Sequence, residues 1–311
     1  MASTYPVNCA PVDSDSIQAR VGLAWAHHSD KAIQSASIYA DRRRVLFNIY
    51  AEVMHLPLSA AVLPLLAHLD EVGSTNQELM ARAARGEAQH LSALITTNQT
   101  AGRGRLGREW IAPPGKTFAV SVLLAPAEAS IGSLAWMPLL GGLAMARAVR
   151  SLVNDREVTL KWPNDVQIEG LKVSGLLSEL VADGSGVIVG AGLNLTIERD
   201  ELPTSVSTSL LLEGADPGVD LVLSSYLTQL TGLYEQYLGG ELDAVRSGIA
   251  DAVRAECGTI GRRVRVELPG GGRIFGTAET VDDQGQLVVK DDANGSLQHV
   301  AAGDVTHLRY E

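Results

Sequence analysis

Two periodicities of apolar and polar residues run through the chain from residue 66 and predict a mixed α/β body. Short runs rich in apolar and β-branched residues predict strands over 67–72, 91–97, 117–124, 158–162, 166–168, 172–181 and 187–196. Longer runs with helical spacing predict helices over 76–85, 134–153 and 218–256. Ser74 or Thr75 is the expected cap of the first helix, with Glu78 as its capping-box partner.

The two ends of the chain differ from this body. Residues 258–311 alternate in short segments separated by glycine turns, which predicts a small all-β domain. Residues 1–60 lack a sustained pattern and predict a poorly ordered extension, so the main domain is expected over 61–257. A translation start at Met54 is one hypothesis for the natural product. Intact mass checks it, and a mass that covers residue 2 onward contradicts it.

Composition limits the classes of protein that fit. The chain has 311 residues, 46% of them hydrophobic, which is enough for a sizeable core. Its two cysteines, Cys9 and Cys257, make neither a disulfide framework nor a zinc site, and a reducing cytoplasm is the expected location. The seven histidines show no metal-ligand spacing. No apolar stretch is long and continuous enough to span a membrane, and no signal peptide is evident.

The segment 99–110, QTAGRGRLGREW, concentrates the candidate chemistry. Glycine lets a backbone turn tightly and approach a ligand, and arginine offers a charged fork for carboxylate or phosphate. A tryptophan face can stack on a base. This cationic segment lies in a chain of net charge −11, where 61–257 contributes −9. A local positive patch suits a small anion in a cleft better than a nucleic-acid backbone, although a single arginine of this kind usually pairs with a surface carboxylate.

Three further features add polar groups near strand ends. Residues 161–165, KWPND, end a strand in a turn that presents Asn164 and Asp165, and Lys172 follows in the next strand. Taken alone, Pro-Asn-Asp is typical of a simple turn and a lone lysine is usually solvated. Residues 190–195, GAGLNL, lack the dinucleotide-binding spacing, and neither a Walker A motif nor a nucleophile elbow is present.

The ordered series of these motifs resembles that of biotin protein ligases. It comprises Gly73-Ser-Thr-Asn76, residues 99–110, residues 161–165, Lys172 with Gly175, and residues 190–194. The resemblance covers about 66–310 and implies an α+β fold. Its catalytic domain is a mixed sheet like that of class II aminoacyl-tRNA synthetases, followed by a small SH3-like barrel. It also implies that the enzyme joins biotin to ATP and transfers it to a lysine of a biotin carboxyl carrier protein.

The resemblance also implies roles for individual residues. The biotin site is expected to contain Ser74, Thr75, Asn76, Gln99, Arg103, Gly104, Arg105 and Lys172. The ATP site is expected to contain Arg105, Arg108, Trp110, Asn164, Asp165 and Asn194. Arg105, Lys172 and Asp165 are the expected catalytic residues, and Mg²⁺ is the expected companion of ATP without an assigned protein ligand. Fixed cations would offset the repulsion between carboxylate and α-phosphate, so that no protein nucleophile is needed.

Three other functions remain open from the sequence. A lipoate ligase shares the superfamily fold, but residues 99–110, residues 161–165 and the terminal β domain favour biotin. A ligand-sensing repressor is a second possibility, but residues 1–60 have zero net charge and no clean helix-turn-helix pattern, so no DNA binding is expected. A binder of single-stranded RNA is disfavoured by the net charge of −11.

Overall fold

A seven-stranded mixed sheet forms the centre of the protein. The structure is a computed structural model that describes residues 55–126, 130–268, 271–301 and 304–307, all within one compact unit. The sheet strands are β1 (Leu66–His68), β2 (Ala93–Thr96), β5 (Thr117–Leu124), β6 (Val158–Lys161), β7 (Asp165–Ile168), β8 (Leu171–Leu180) and β9 (Val187–Asn194). Their order is β1-β2-β5-β9-β8-β7-β6, with β1 parallel to β2 and the other pairs antiparallel. Two further strands, β3 (Gly102–Arg103) and β4 (Glu109–Trp110), form a separate hairpin.

Helices cover both faces of this sheet. They are α1 (Pro57–Val62), α2 (Thr75–Ala84), α3 (Ile131–Leu134), α4 (Met137–Arg150), α5 (Val219–Gly239) and α6 (Ile249–Glu256). On one face Leu79 of α2 packs with Leu94 and Ile188, whereas α4 and α5 pack on the other face. Gly142 lets α4 approach closely, because a Cβ there would lie 2.6 Å from Leu160 Cδ1.

The helix predictions need three corrections. The predicted helix 134–153 is α4 alone, which begins at Met137 with Pro138 in its first turn and ends at Arg150, whereas Leu134 is the last residue of the separate helix α3. The predicted helix 218–256 also divides, because α5 ends at Gly239 and α6 begins at Ile249. Ser74 caps α2 by accepting from Gln77 N, so Glu78 lies one residue beyond the capping-box position. Glu78 instead accepts from Arg82 Nε at 2.7 Å.

The C-terminal segment is a small antiparallel sheet, as the sequence predicts. Its strands are β10 (Arg263–Glu267), β11 (Arg273–Val281), β12 (Leu287–Asp291), β13 (Leu297–Val300) and β14 (Asp304–His307), in the order β13-β12-β11-β10-β14. The turn between β11 and β12 contacts the main sheet domain. Trp162 Nε1 donates to Gly285 O at 3.0 Å, and Trp136 Nε1 donates to Asp283 O at 3.3 Å. Trp162 belongs to the 161–165 motif, so the C-terminal sheet helps to fix the position of a segment that also contributes to the candidate site.

Helix α1 joins the body earlier than the sequence predicts. Residues 57–60, assigned above to the extension, form most of α1, which packs on α5. Asp220 Oδ1 accepts from Ser59 N and Ser59 Oγ at 2.9 and 2.7 Å. Residues 1–54, with the remainder of the predicted extension and the start at Met54, lie outside the described residues.

Because His68 is buried in its neutral form, we expect the protein to lose stability in mild acid. Neither nitrogen of the His68 ring has a hydrogen-bond partner in the described part of the chain. Burial lowers its pKa below the ordinary 6.5, and Asp70 opposes that shift. Burial also lowers the pKa of His90. Since the unfolded chain binds these protons first, we expect the free energy of unfolding to fall as the pH drops below about 6.5.

Urea unfolding between pH 7.5 and 5.5 measures this effect. His68→Leu should flatten the dependence partly, because it removes one of the two histidines that fold in the neutral form. Leu238→Ala, at an exposed and non-titrating position of α5, is the control and should leave the slope as in the parent. Equal slopes for the parent and His68→Leu would contradict the assignment to His68.

Candidate active site

A cleft opens between the β3–β4 hairpin, the start of α2 and the centre of the sheet. It brings together twelve of the thirteen predicted site residues. They are Ser74, Thr75, Asn76, Gln99, Arg103, Gly104, Arg105, Arg108, Trp110, Asn164, Asp165 and Lys172. The main chains of Gly175, Gly190 and Gly192 form part of its floor. Segments that are up to 118 residues apart in sequence, from Ser74 to Gly192, therefore meet in one concave surface.

The predicted cationic loop is a short hairpin. Gly102 pairs with Trp110 and Arg103 with Glu109, and Gly104 N donates to Arg108 O at 2.7 Å. The tip, Arg105–Gly107, is a 3₁₀ turn with positive φ at Leu106. Gly102 is required by space, since a Cβ there would lie 2.5 Å from Trp110 O. The hairpin holds its arginines on a defined backbone above the cleft.

Trp110 lies flat against glycine main chain. A Cβ at Gly192 would lie 2.6 Å from Trp110 Cε2, and one at Gly175 would lie 3.1 Å from Trp110 Cζ3. The absence of side chains at these two positions of β8 and β9 therefore creates the space that the indole occupies. Lys172 Nζ lies 5.9 Å from the centre of the ring. This arrangement presents an aromatic surface beside a cation.

Hydrogen bonds fix the polar side chains at the start of α2. Gln99 Oε1 accepts from Thr75 N and Thr75 Oγ1 at 3.0 and 3.2 Å. Ser121 Oγ lies 2.7 Å from Thr75 Oγ1 and donates to Asn76 Oδ1 at 2.6 Å. Gly190 passes directly beneath Asn76, so that a Cβ there would overlap the amide. These side chains are buried or nearly so and are oriented before any ligand binds.

The hairpin is tied to α2 by Arg103. In the amide orientation that its neighbours favour, Gln77 Oε1 accepts from Arg103 Nη1 and Nη2 at 3.0 and 2.8 Å. The contact joins the upper wall of the cleft to the helix that supplies Thr75 and Asn76. It places the hairpin over the end of the cleft where α2 begins.

Cationic and acidic groups meet at the other end of the cleft. Lys172 Nζ lies 2.7 Å from Asp165 Oδ1, and both side chains are partly exposed. Arg105 Nη1 donates to Asn164 Oδ1 at 3.2 Å, and Asn164 Nδ2 donates to Leu176 O at 2.8 Å. The 161–165 turn therefore positions one partner for each cation. Two positive charges held in this way would stabilise a ligand that carries a carboxylate and a phosphate.

Asn194 is absent from the residues that line this cleft. It is buried at the end of β9, and its Nδ2 donates to Thr208 O at 2.8 Å. Thr208 N in turn donates to Lys172 O at 2.8 Å. Asn194 is thus connected to the cleft through the backbone of Lys172, and its predicted contact with the nucleotide stays a prediction.

Sequence reasoning missed three polar side chains that support the site: Gln77, Ser121 and Glu179. The sequence does single out Ser121, since it is a polar residue in the middle of the apolar run 118–124, and the structure buries it fully. Gln77 had a weaker signal, because it directly follows the Ser-Thr-Asn motif. The sequence gives no signal for Glu179, because its position in a strand does not indicate that its carboxylate accepts from Asn76.

Comparison with known families agrees with this geometry. The Biotin/lipoate A/B protein ligase family matches residues 70–194, which include the cleft motifs. The Biotin protein ligase C terminal domain family matches residues 259–308. A Biotin--[acetyl-CoA-carboxylase] ligase from Mycobacterium tuberculosis is 39% identical over 77% of this chain and 87% of the relative. The chain belongs to the biotin protein ligase family. The resemblance inferred from the motifs is therefore confirmed.

Other ligases of this family support the assignment. The Bifunctional ligase/repressor BirA of Escherichia coli is 29% identical over 80% of this chain and 74% of that protein. The solved biotin protein ligase from Aquifex aeolicus in complex with biotin and ATP is 26% identical and covers 79% of this chain and 99% of its own. Its TM-score of 0.64 confirms the predicted fold, a mixed-sheet domain followed by a small antiparallel β domain. Among the described helices, none is both long and apolar enough to traverse a bilayer.

Proposed function

We propose that this chain catalyses the two-step ligation of biotin to a carrier lysine. The family activity is ATP-dependent ligation of biotin to a carboxylase acceptor. In the first step, biotin carboxylate attacks the α-phosphorus of ATP, which forms biotinyl-5′-AMP and releases pyrophosphate. In the second, a lysine amine attacks the acyl carbon and AMP leaves. The main observation behind this proposal is that one cleft contains an aromatic face and two cations, Arg105 and Lys172, which Asn164 and Asp165 hold in place.

The biotin end of the cleft is proposed at the start of α2. The buried side chains Thr75 and Asn76 and the partly buried Gln99, all hydrogen-bonded, offer polar groups for a small heterocycle. Biotin carries such a ring, with two N–H donors and one carbonyl acceptor. Ser74, Arg103 and Gly104 complete the proposed biotin contacts, because they line the same region and belong to the predicted set.

The nucleotide end is proposed around Trp110. Its ring is the stacking surface for adenine, and Asn164 and Arg108 line the same cleft. Arg105 and Lys172 lie where carboxylate and α-phosphate would meet, so that their charge would offset the repulsion between two anions. The hairpin above them would keep water from the reactive adenylate.

Asp165 is proposed to act in the transfer step. Its carboxylate contacts Lys172 and lines the cleft, so that it can orient an incoming amine or accept its proton. We propose that the amine belongs to a lysine of a biotin carboxyl carrier protein, since the M. tuberculosis relative is named for ligation to acetyl-CoA carboxylase. Asp165→Asn should then slow transfer from the adenylate, and normal rates of both half-reactions would refute this role.

Mg²⁺ is proposed as the companion of ATP rather than as a fixed part of the protein. No cluster of three or more His, Cys, Asp or Glu side chains in the described residues could hold a metal. Asp165 is the candidate protein ligand, which fits an ion held mainly by phosphate oxygens. When bound, the ion would neutralise phosphate charge. We also propose a cytoplasmic location, where ATP is abundant and the sparse cysteines stay reduced.

Biotin-dependent exchange of labelled pyrophosphate into ATP tests the first step. We expect exchange with biotin and none with lipoate or octanoate. Exchange with lipoate alone would move the protein to the lipoate branch of the superfamily. An absence of exchange with every acid would reject the adenylation activity.

A repressor function is the second candidate, since the E. coli relative is a bifunctional ligase/repressor. We propose that this chain lacks operator binding, because residues 1–60 have zero net charge and no clean helix-turn-helix pattern. Gel retardation of DNA with and without biotin and ATP distinguishes a ligase that binds an operator from one that does not. A mobility shift of the DNA that requires both ligands would establish the repressor function.

A further inference from the structure

The side-chain amide of Asn76 has its donors fully used by the protein. Nδ2 carries two hydrogens, and it donates to Leu177 O at 3.0 Å and to Glu179 Oε2 at 2.7 Å. Oδ1 accepts from Ser121 Oγ at 2.6 Å and keeps one lone pair. Asn76 lines the cleft, so the capacity that it retains for a ligand is that of an acceptor.

Glu179 makes the opposite amide orientation unfavourable. If the amide turned over, its oxygen would face both the Glu179 carboxylate and the Leu177 carbonyl. Two contacts between acceptors would then replace two hydrogen bonds, one of which involves a charged group. Close contact with Gly190 also restricts the amide, because that residue leaves no space for a displaced side chain. Glu179 lies on β8 and is absent from the residues that line the cleft.

We infer that Glu179 is a positioning residue that determines acid specificity by holding the Asn76 oxygen toward a ligand N–H donor. The inference rests on the proposed function, in which that donor is a ureido N–H of biotin. Lipoate has a dithiolane ring and no N–H group. Bound lipoate would therefore leave the buried Asn76 acceptor without a partner, which is a strong basis for rejection.

Calorimetric titration with biotin in the absence of ATP tests this inference on the full chain. We expect Glu179→Ala to weaken biotin binding about tenfold, as the loss of one oriented hydrogen bond predicts. Glu179→Gln should weaken it less, because its amide oxygen can still accept from Asn76. In the exchange reaction both variants should raise the KM for biotin and leave the KM for ATP unchanged. Glu235→Gln, at an exposed position of α5, is the matched control.

A double-variant cycle separates positioning from general damage. If Glu179 acts through Asn76, then adding Glu179→Ala to Asn76→Ala should cost no further affinity. The preference for biotin over biotin methylated on either ureido nitrogen should also fall in Glu179→Ala. The inference would be overturned if the double variant loses affinity for biotin by the product of the two single-variant factors. Parent-like binding by Glu179→Ala would also overturn it. If Glu179→Ala does not fold, Glu179→Met replaces it, since methionine keeps a similar length without an oxygen acceptor, and parent-like binding by that variant overturns the inference equally.

Failure of the inference can be distinguished from failure of the proposed function. A parent protein that binds no biotin rejects the function itself. A parent that binds biotin, with Glu179→Ala or Glu179→Met binding it equally well, rejects only the role of Glu179.

Discussion

Replacement of Lys172 by methionine is expected to reduce biotin-dependent pyrophosphate exchange about 100- to 1000-fold, the range observed when one charge-stabilising group is removed from a reacting centre. Methionine keeps the apolar stem beside Trp110 but removes the ammonium that contacts Asp165 at 2.7 Å. The carboxylate and α-phosphate would then approach with one cation fewer, and Asp165 would add uncompensated negative charge. The measurement is the exchange rate at saturating ATP and biotin.

Two further variants give this prediction its controls. Lys116 is equally exposed and pairs with Glu201 at 2.6 Å, but it does not line the cleft. Lys116→Met should therefore exchange at the parent rate. Lys172→Arg should recover part of the lost rate, because it keeps the charge with a different geometry. Exchange by Lys172→Met within threefold of the parent would remove Lys172 from the proposed reaction.

Gly192→Ala is expected to raise the KM for ATP at least about tenfold, because overpacking of a close contact displaces the groups involved. The added Cβ would lie 2.6 Å from Trp110 Cε2 and 2.7 Å from Trp110 Cζ2. The indole would have to leave its place on β9, and the proposed stacking surface for adenine would move with it. Exchange kinetics at varied ATP measure the effect, and titration with biotin alone should give the parent affinity.

Gly232 in α5 provides the matched substitution. An added Cβ there would have no atom within 4 Å, and alanine is favoured over glycine in a helix by about 1 kcal/mol. Gly232→Ala should thus keep the parent KM for ATP and unfold at an equal or higher temperature. A parent-like KM for ATP in Gly192→Ala would show that the position of Trp110 does not matter for the nucleotide.

Local patterns were sufficient wherever a short segment specifies its own structure. The strand over 117–124 was predicted at its observed bounds, because eight buried residues rich in apolar and β-branched types have few alternatives. Ser74 as a helix cap was one of two predicted candidates. Helix ends were predicted less accurately: the predicted helix 134–153 extends three residues beyond α4 at each end, because helical spacing alone does not reveal where a helix begins and ends. The contact of Pro57–Val62 with α5 depends on Asp220, more than 150 residues away.

For the candidate site too, the sequence predicted some features and the structure alone showed others. The motifs alone identified the residue types that line the cleft, because glycine, arginine, tryptophan and asparagine carry their chemistry in their side chains. They did not reveal that Glu179 accepts from Asn76, or that Asn194 donates to the main chain of Thr208. Those contacts join residues that are distant in sequence, and a strand pattern specifies a face without specifying the neighbour across it.

The sequence by itself determined the family, the order of the domains and most of the residues in the cleft. The tertiary structure decided how those residues are oriented: Trp110 against two glycines, Lys172 against Asp165, and the Asn76 amide between Ser121 and Glu179. The physical reason is that a hydrogen bond or a packed ring requires distances of a few ångströms between particular atoms. The packing of strands β5, β7, β8 and β9 with α2 and the β3–β4 hairpin brings those atoms together.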